Sequence, residues 1–346
     1  MKNKSQVIAI FTAALLALAI IAAPRFISAQ SQAQTPPPSQ QQSSAQQAPP
    51  AQPQAAAVPP FTLKPLGHNA FAAIAVPGGG AGSNASFIIG EDGVLVVDTY
   101  QRVEAARALL AKIHELTPLP IRYVVNTHYH IDHVTGNGVF AEAGAIIFAH
   151  KNVRDWIHVE NLKFYGANIT PAQKASVEAL TAPMVVYTTG VDLYLGQRHI
   201  FVRYFPGHTG GDSMVFDPES NVVFCGDIFW RHTLPNLIDA STDAWIETLN
   251  AMIQAHPAAA FVSGHGDVGT VEDVKAFRGY LMDLRQWVGG ARATGKTGDA
   301  IVDEVVPKIK EKYGDWGALN NFSIRNVQQT AEELNATKKV PRPLPQ

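Results

Sequence analysis

Cysteine is almost missing from this chain: of 346 residues only Cys225 carries a thiol, which excludes an intrachain disulfide whatever the compartment. Stability has to come from packing or from bound metal. A charge excess is missing too, with 27 Lys and Arg against 29 Asp and Glu, so no basic field favours nucleic acid or an anionic membrane surface. No nucleic-acid partner is expected. There is no G-x-S-x-G, which leaves a serine nucleophile on a hydrolase elbow without support. Gly78-Gly79-Gly80-Ala81-Gly82 is followed by no Gly-Lys-Ser/Thr and opens no helix, so it reads as a flexible turn between strands, or a flap beside an active site, rather than a phosphate cradle. No internal repeat is present.

What is there begins with Lys2 and Lys4, an apolar run from Val7 to Ala23, and small residues ending at Ser28-Ala29-Gln30. That order is a secretory signal over 1–29, with cleavage after Ala29. The expected destination is periplasmic or secreted; the alternative is an uncleaved membrane anchor, since the apolar run approaches the ~18 residues of a spanning helix. From 30 to 60 the chain is Gln, Ala, Pro and Ser with few large apolar side chains, a composition that cannot offset ordering entropy. This segment is expected to be a disordered linker, and a tether to the membrane if the signal is retained.

Short β-rich runs follow: Phe71 to Val76, Ala85 to Ile89 and Gly93 to Asp98, the last two joined by a Glu91-Asp92-Gly93 turn. Val103 to Leu116 has apolar residues at helical spacing and is stopped by Pro118 and Pro120. Further strands are expected at Ile121 to Asn126, Ala145 to Phe148, within Met184 to Phe216 with turns at Gly190 and Gly196, at Val222 to Cys225 and at Ala260 to Ser263. Helices are expected at Asn152 to Asn161, Pro171 to Leu180, Thr242 to Ala255 and over most of Val271 to Leu334. Strands followed by helices, twice over, predict two sheets with helices packed outside them.

The strongest chemical signal is N-T-H-Y-H-I-D-H, which places His128, His130, Asp132 and His133 within six positions just beyond an apolar strand. Imidazole and carboxylate are zinc's ligands apart from thiolate. Residues two apart share one side of an extended backbone, so His128 and His130 can meet one ion. Asp132 and His133 lie where the chain turns toward a helix and can face a second.

This H-x-H-x-D-H motif after a strand resembles the signature of the metallo-β-lactamase superfamily. The later motifs of that family occur in order: His208 in F-P-G-H-T-G-G-D-S, Asp227 in V-F-C-G-D-I-F and His265 in V-S-G-H-G-D, while Asp98 in G-V-L-V-V-D-T matches its first acidic motif. The resemblance implies an α+β, four-layer αβ/βα sandwich over 61–275, with a helical C-terminal extension over 276–346 packed on it. It implies two Zn2+ per chain, one held by His128, His130 and His208, the other by Asp132, His133 and His265, with Asp227 bridging. It also implies a bridging hydroxide that attacks a carbonyl of a small-molecule ester, thioester, lactone or β-lactam, Asp132 as the catalytic residue that orients it, and Asp98 behind the ligands fixing one of them.

Several alternatives remain at this level. Some β-lactamases of the family use cysteine as a ligand, and Cys225 is the candidate here, but C-G-D-I-F-W looks more like the Gly-Asp motif of the broader hydrolases, which favours Asp227. The lysine that follows in the cysteine-type enzymes is absent, with Arg231 as its only substitute. Related di-iron redox proteins generally replace the second histidine with glutamate, and His130 argues against them. A mononuclear iron sulfur dioxygenase and a non-catalytic metal-binding module stay as alternatives. Trp156, Phe164, Tyr165 and Trp230 are candidates for a substrate cleft as well as for core. His68, His114, His150, His158, His199 and His256 read as structural, with His232 undecided.

Overall fold

Alternation inside single strands explains the architecture. In the strand Val94–Val97, Val94 and Val96 join one buried cluster and Leu95 and Val97 another, so both faces are covered. In Val222–Trp230 the same holds: Val222 and Phe224 pack on one side, Val223 and Cys225 on the other. Such strands need an apolar layer above and below, which two sheets and two helical layers supply.

The computed structural model describes residues 58–342; the expected export signal and all but the last three residues of the expected linker lie outside them. The first sheet runs in chain order: β1 (Phe61–Gly67), β2 (Ala70–Ala75), β3 (Ala85–Ile89), β4 (Val94–Val97), β5 (Ile121–Val125), β6 (Ile146–His150) and β7 (Val185–Tyr187). Pairing is antiparallel from β1 to β4 and parallel from β4 to β7. The second contains β8 (Gly190–Leu195), β9 (Arg198–Tyr204), β10 (Ser213–Asp217), β11 (Val222–Trp230), β12 (Ala260–His265) and β13 (Val268–Gly269), in the order β13-β12-β11-β10-β9-β8. Only β11 and β12 pair in parallel there.

Between the sheets lies a core that includes Ile88, Leu95 and Val125 from the first and Val202, Val215 and Phe224 from the second. Outside the first sheet packs α1 (Val103–Leu116), whose buried Ala105, Ala106, Leu109 and Ile113 follow helical spacing. The backbone N–H of Thr117 returns to Ile113 O, and Pro118 prevents continuation. Three short helices, α2 (Ile131–Val134), α3 (Asn137–Glu142) and α4 (Lys151–Trp156), and α5 (Pro171–Glu178) follow. Outside the second sheet lie α6 (Thr242–Ala255), α7 (Val271–Ala293), α8 (Asp299–Tyr313) and α9 (Leu319–Leu334), which share one core with β11 through residues such as Trp245, Phe277, Leu284, Val305 and Val327. The result is the four-layer αβ/βα sandwich with C-terminal helices. α7 runs unbroken through position 275. Among the described residues no helix is long and apolar enough to cross a membrane.

Most elements fall where the sequence places them, and the differences have local causes. β1 was not anticipated: it is an edge strand containing Pro65, with no fully buried residue. The helix expected over Asn152 to Asn161 breaks into α4 and a 3-10 segment at Glu160–Tyr165. β11 extends five residues past Cys225, because a bulge at Gly226, with φ +50°, lets pairing with β12 resume as far as Trp230.

Phe277 in α7 is fully buried, with ring centroids 6.0 Å from Phe229 of β11 and 5.5 Å from Trp245 of α6. Phe277→Ala should therefore lower unfolding free energy by about 3–5 kcal/mol in urea titration. A loss below about 1 kcal/mol would show that the C-terminal helices are not part of this core.

Candidate metal centre

Each metal-type side chain is delivered from the end of a strand. β5 stops at Val125, and Thr127 is then pinned by Asp98 beyond β4: its N–H donates to Asp98 Oδ1 at 2.8 Å and its hydroxyl to Oδ2 at 2.7 Å. His128, Tyr129 and His130 follow, His130 in extended conformation directly before α2, which carries Asp132 and His133. His208 sits between β9 and β10, Asp227 just past the Gly226 bulge of β11, and His265 at the last position of β12.

Two donor groups result. His128, His130, His208 and Asp227 form one, and Asp132, His133 and His265 the other; within each, the donor atoms lie within 4.8 Å of one another. Asp227 belongs to both by distance. Its Oδ2 is 3.2 Å from His208 Nε2 and 3.7 Å from His128 Nε2, while Oδ1 is 3.1 Å from His133 Nε2 and 3.4 Å from His265 Nε2. Asp132 Oδ2 stands 3.3 Å from His265 Nε2 and 3.6 Å from His133 Nε2. All seven residues singled out from the sequence converge.

The residues present fit a bound cation. Among the described residues, His128 Nε2, His133 Nε2, His265 Nε2 and Asp227 Oδ1 are buried without a hydrogen-bond partner. An unsatisfied buried polar atom costs about 1–3 kcal/mol, and these four face one another; imidazole nitrogen and carboxylate oxygen are the donors zinc takes.

Protonation separates the two groups. Burial pushes His128 well down and His208 down to about 3, leaving both neutral, the form that ligates. Burial also opposes charge on His133 and His265, but Asp227 and the neighbouring carboxylates outweigh it: His133 is held well above the usual imidazole range and His265 at about 9. Burial would raise Asp227, yet His265, His133, His208 and His128 together hold it well below the usual carboxylate range.

Behind these donors stand residues that aim them. Asp98 Oδ2 accepts from His133 Nδ1 at 2.8 Å, which turns Nε2 inward; its backbone sits at φ +60°, a strained conformation for a non-glycine residue. Asp239, in the loop between β11 and α6, has the same role for His130. Its Oδ2 lies 3.0 Å from His130 Nε2 and also accepts from the Tyr129 hydroxyl, while Lys163 Nζ donates to Oδ1 at 2.5 Å. That leaves His130 Nδ1 free to face His208 Nε2 at 3.0 Å. No spacing signal links positions 130 and 239, so only the fold reveals the pair.

Space matters as much as charge. A Cβ on Gly226 would stand 2.3 Å from Thr127 Oγ1, and one on Gly264 would stand 2.0 Å from Asp227 Oδ1, so both positions must be glycine for the strand ends to close.

The remaining candidates are sorted by the same geometry. The Gly226 bulge breaks the alternation of β11, so Cys225 does not share a side with Asp227: its Sγ lies in the outer core, 4.0 Å from Met252 Sδ, and burial raises its pKa. Arg231 pairs with Asp273 at 3.3 Å. Phe164 and Trp230 line a cavity with His130, Asp132, Asp227 and His265, whereas Trp156 packs in the core on Tyr129. The glycine-rich turn borders a second cavity that reaches His265. His150, His158 and His199 make local hydrogen bonds away from the centre, and His232 stacks on Trp316.

Comparison with known proteins gives a consistent answer. A family model described as "Metallo-beta-lactamase superfamily" matches residues 78–265. The probable metallo-hydrolase YqgX of Bacillus subtilis (strain 168) is 26% identical over 209 residues, covering 58% of this chain and 95% of that protein. A linear primary-alkylsulfatase of Pseudomonas sp. (strain ATCC 19151) is 20% identical over 255 residues, covering 63% of this chain but 48% of that protein, so this chain spans about half its length. Among solved structures, a metallo-beta-lactamase from Pontibacter korlensis superposes with a TM-score of 0.53 at 18% identity, over 64% of this chain and 99% of that one, a likeness of fold.

Removing the Asp239 carboxylate frees His130 to rotate and leaves Lys163 with Glu160 as its one carboxylate partner. Asp239→Ala should weaken zinc binding roughly 10–100-fold in competition titration with a chelator. Affinity equal to that of the unaltered protein would show that Asp239 does not orient His130.

Proposed function

Since this chain belongs to the metallo-β-lactamase superfamily of hydrolases, we propose that it is a di-zinc hydrolase cleaving an ester, thioester, lactone or β-lactam-type bond of a small molecule. The observation that carries the reading is the Asp227 carboxylate, whose two oxygens face two separate histidine groups. In this reading His128, His130 and His208 hold one zinc, Asp132, His133 and His265 the other, and Asp227 both. When bound, the pair supplies an acidified water as nucleophile and positive charge against the oxygen that becomes negative.

The chain's own side chains do the rest. Asp98 and Asp239 accept from the outer nitrogens of His133 and His130, so neither ring can turn away during turnover. In the metal-free protein Asp132 is ionised: burial would raise its pKa, but His133 and His265 bring it down to about 2. With about a fifth of its side chain exposed, it can reach an attacking water and accept a hydrogen bond from it at Oδ2. The proton lost by that water must reach the leaving group; Asp132 and Asp227 both line the cavity, and Asp132 is the more exposed of the two, free to carry it.

Protein loaded during expression should contain two zinc ions per chain by elemental analysis, and Asp132→Ala should lower kcat/KM at least about 100-fold while folding to the same soluble state. Iron with dioxygen consumption, or undiminished turnover in the variant, would contradict the reading.

Zinc uptake should also release protons. In the metal-free protein His265, at about 9, and His133 are protonated at pH 7, and a proton on a ligand nitrogen competes with the metal. Affinity should therefore rise as pH rises toward 9, and calorimetry in buffers of different ionisation enthalpy should detect the released protons. Uptake at pH 7 without proton release would show that these histidines are already neutral.

A further inference from the structure

We propose that the cleft is bipartite and takes a substrate with an apolar portion on one side of the scissile bond and an anionic portion on the other. The inference rests on the hydrolase reading and specifies what that site accepts.

On one side lies a cavity of about 270 Å3 that includes His130, Asp132, Asp227 and His265. Of its seven other lining residues three are aromatic, Phe164, Trp230 and Phe322, and two more, Ile131 and Ala318, are aliphatic. The Phe164 ring stands edge-on to His130 at 4.9 Å, Trp230 stacks on His265 at 3.9 Å, and Phe322 stands edge-on to Trp230 at 6.1 Å. No Lys or Arg lines it, so its walls offer a ligand dispersion and burial rather than a counter-ion. Each methylene buried there is worth up to about fourfold in affinity.

On the other side lies a cavity of about 580 Å3 that shares Thr233 and His265 with the first. This one is bordered by the glycine-rich turn and by Asn84, Gln101 and Arg102. No Asp or Glu lines it, so the exposed Arg102 guanidinium has no carboxylate in that lining to answer it. Gly80, at φ +85°, lets the guanidinium lie against the turn: a Cβ there would stand 3.0 Å from Arg102 Cδ and 3.3 Å from its Nε. An anion that enters beside His265 therefore meets one positive charge and a set of neutral polar groups.

The C-terminal helices build the apolar wall. Gly317, between α8 and α9, donates its N–H to His232 O at 2.8 Å and accepts from Leu234 N–H at 2.9 Å, which stitches that turn to the loop after β11. Phe322 is carried over the cavity from the first turn of α9. Thr233, inside the stitched loop, marks the junction of the two halves.

The test uses the zinc-loaded full chain and three amides, 4-hexanamidobenzoate, 4-acetamidobenzoate and methyl 4-hexanamidobenzoate, with binding read by calorimetry and the matching phenyl esters used for turnover. We expect the hexanoyl benzoate to bind at least about tenfold more tightly than its acetyl counterpart and than its methyl ester. Phe322→Ala should reduce the first ratio below about threefold, with Phe164→Ala as an independent probe of the opposite wall. Arg102→Ala should collapse the second ratio without moving the first, and Arg102→Lys should restore part of it. If the carboxylate preference survives in Arg102→Ala, the anion sits elsewhere and the inference fails. Ratios near one in the unaltered protein, alongside good ester turnover, would overturn the inference alone. The expected binding pattern without turnover of any ester would support the inference and overturn the hydrolase reading.

Discussion

One buried carboxylate facing two groups of imidazoles is the constraint on which the rest of the molecule depends. Asp227 is 3% exposed and ionised, and an isolated charge at such depth would cost far more than a domain's net stability. It survives because His208 and His128 approach one oxygen while His133 and His265 approach the other. Those imidazoles and Asp227 itself come from four places in the chain, so the whole sandwich serves to bring strand ends to one point.

The parallel pairings explain how this is done. β4 and β5 run in parallel in the first sheet, β11 and β12 in the second. Their carboxyl ends therefore lie on matching edges, where α/β sheets generally place their ligands. Asp98 follows β4, the His128 to His133 stretch follows β5, Asp227 sits late in β11 and His265 ends β12. Asp98 then ties two of these segments together by accepting from both Thr127 and His133. A one-residue slip in β11 would turn Asp227 into the outer core, and the Gly226 bulge is what sets its direction.

Much of this was legible in the sequence because it is written locally. The helix over Val103 to Leu116 shows as apolar spacing with a proline stop, the strand before His128 as an apolar run, and the His128 to His133 cluster as four donors in six positions. His208, Asp227 and His265 became legible only through the order of their motifs. Asp239 did not, because its partners His130, Tyr129 and Lys163 lie 76 to 110 positions away and nothing in P-N-L-I-D announces a buried acceptor. Cys225 shows the reverse: a regular strand would put it on the same side as Asp227, two positions on, and one glycine at φ +50° prevents this. The role of Phe322 was likewise hidden, since it follows from a backbone stitch between Gly317 and the loop at His232 to Leu234.

The central claim concerns the position of two cations relative to one side chain, and anomalous X-ray scattering from zinc-loaded crystals, with data on both sides of the zinc absorption edge, addresses it directly. The account predicts two zinc peaks, one bounded by His128, His130 and His208 and the other by Asp132, His133 and His265, with an oxygen of Asp227 coordinating each. A single peak, or two peaks with Asp227 bound to neither or only one, would contradict it.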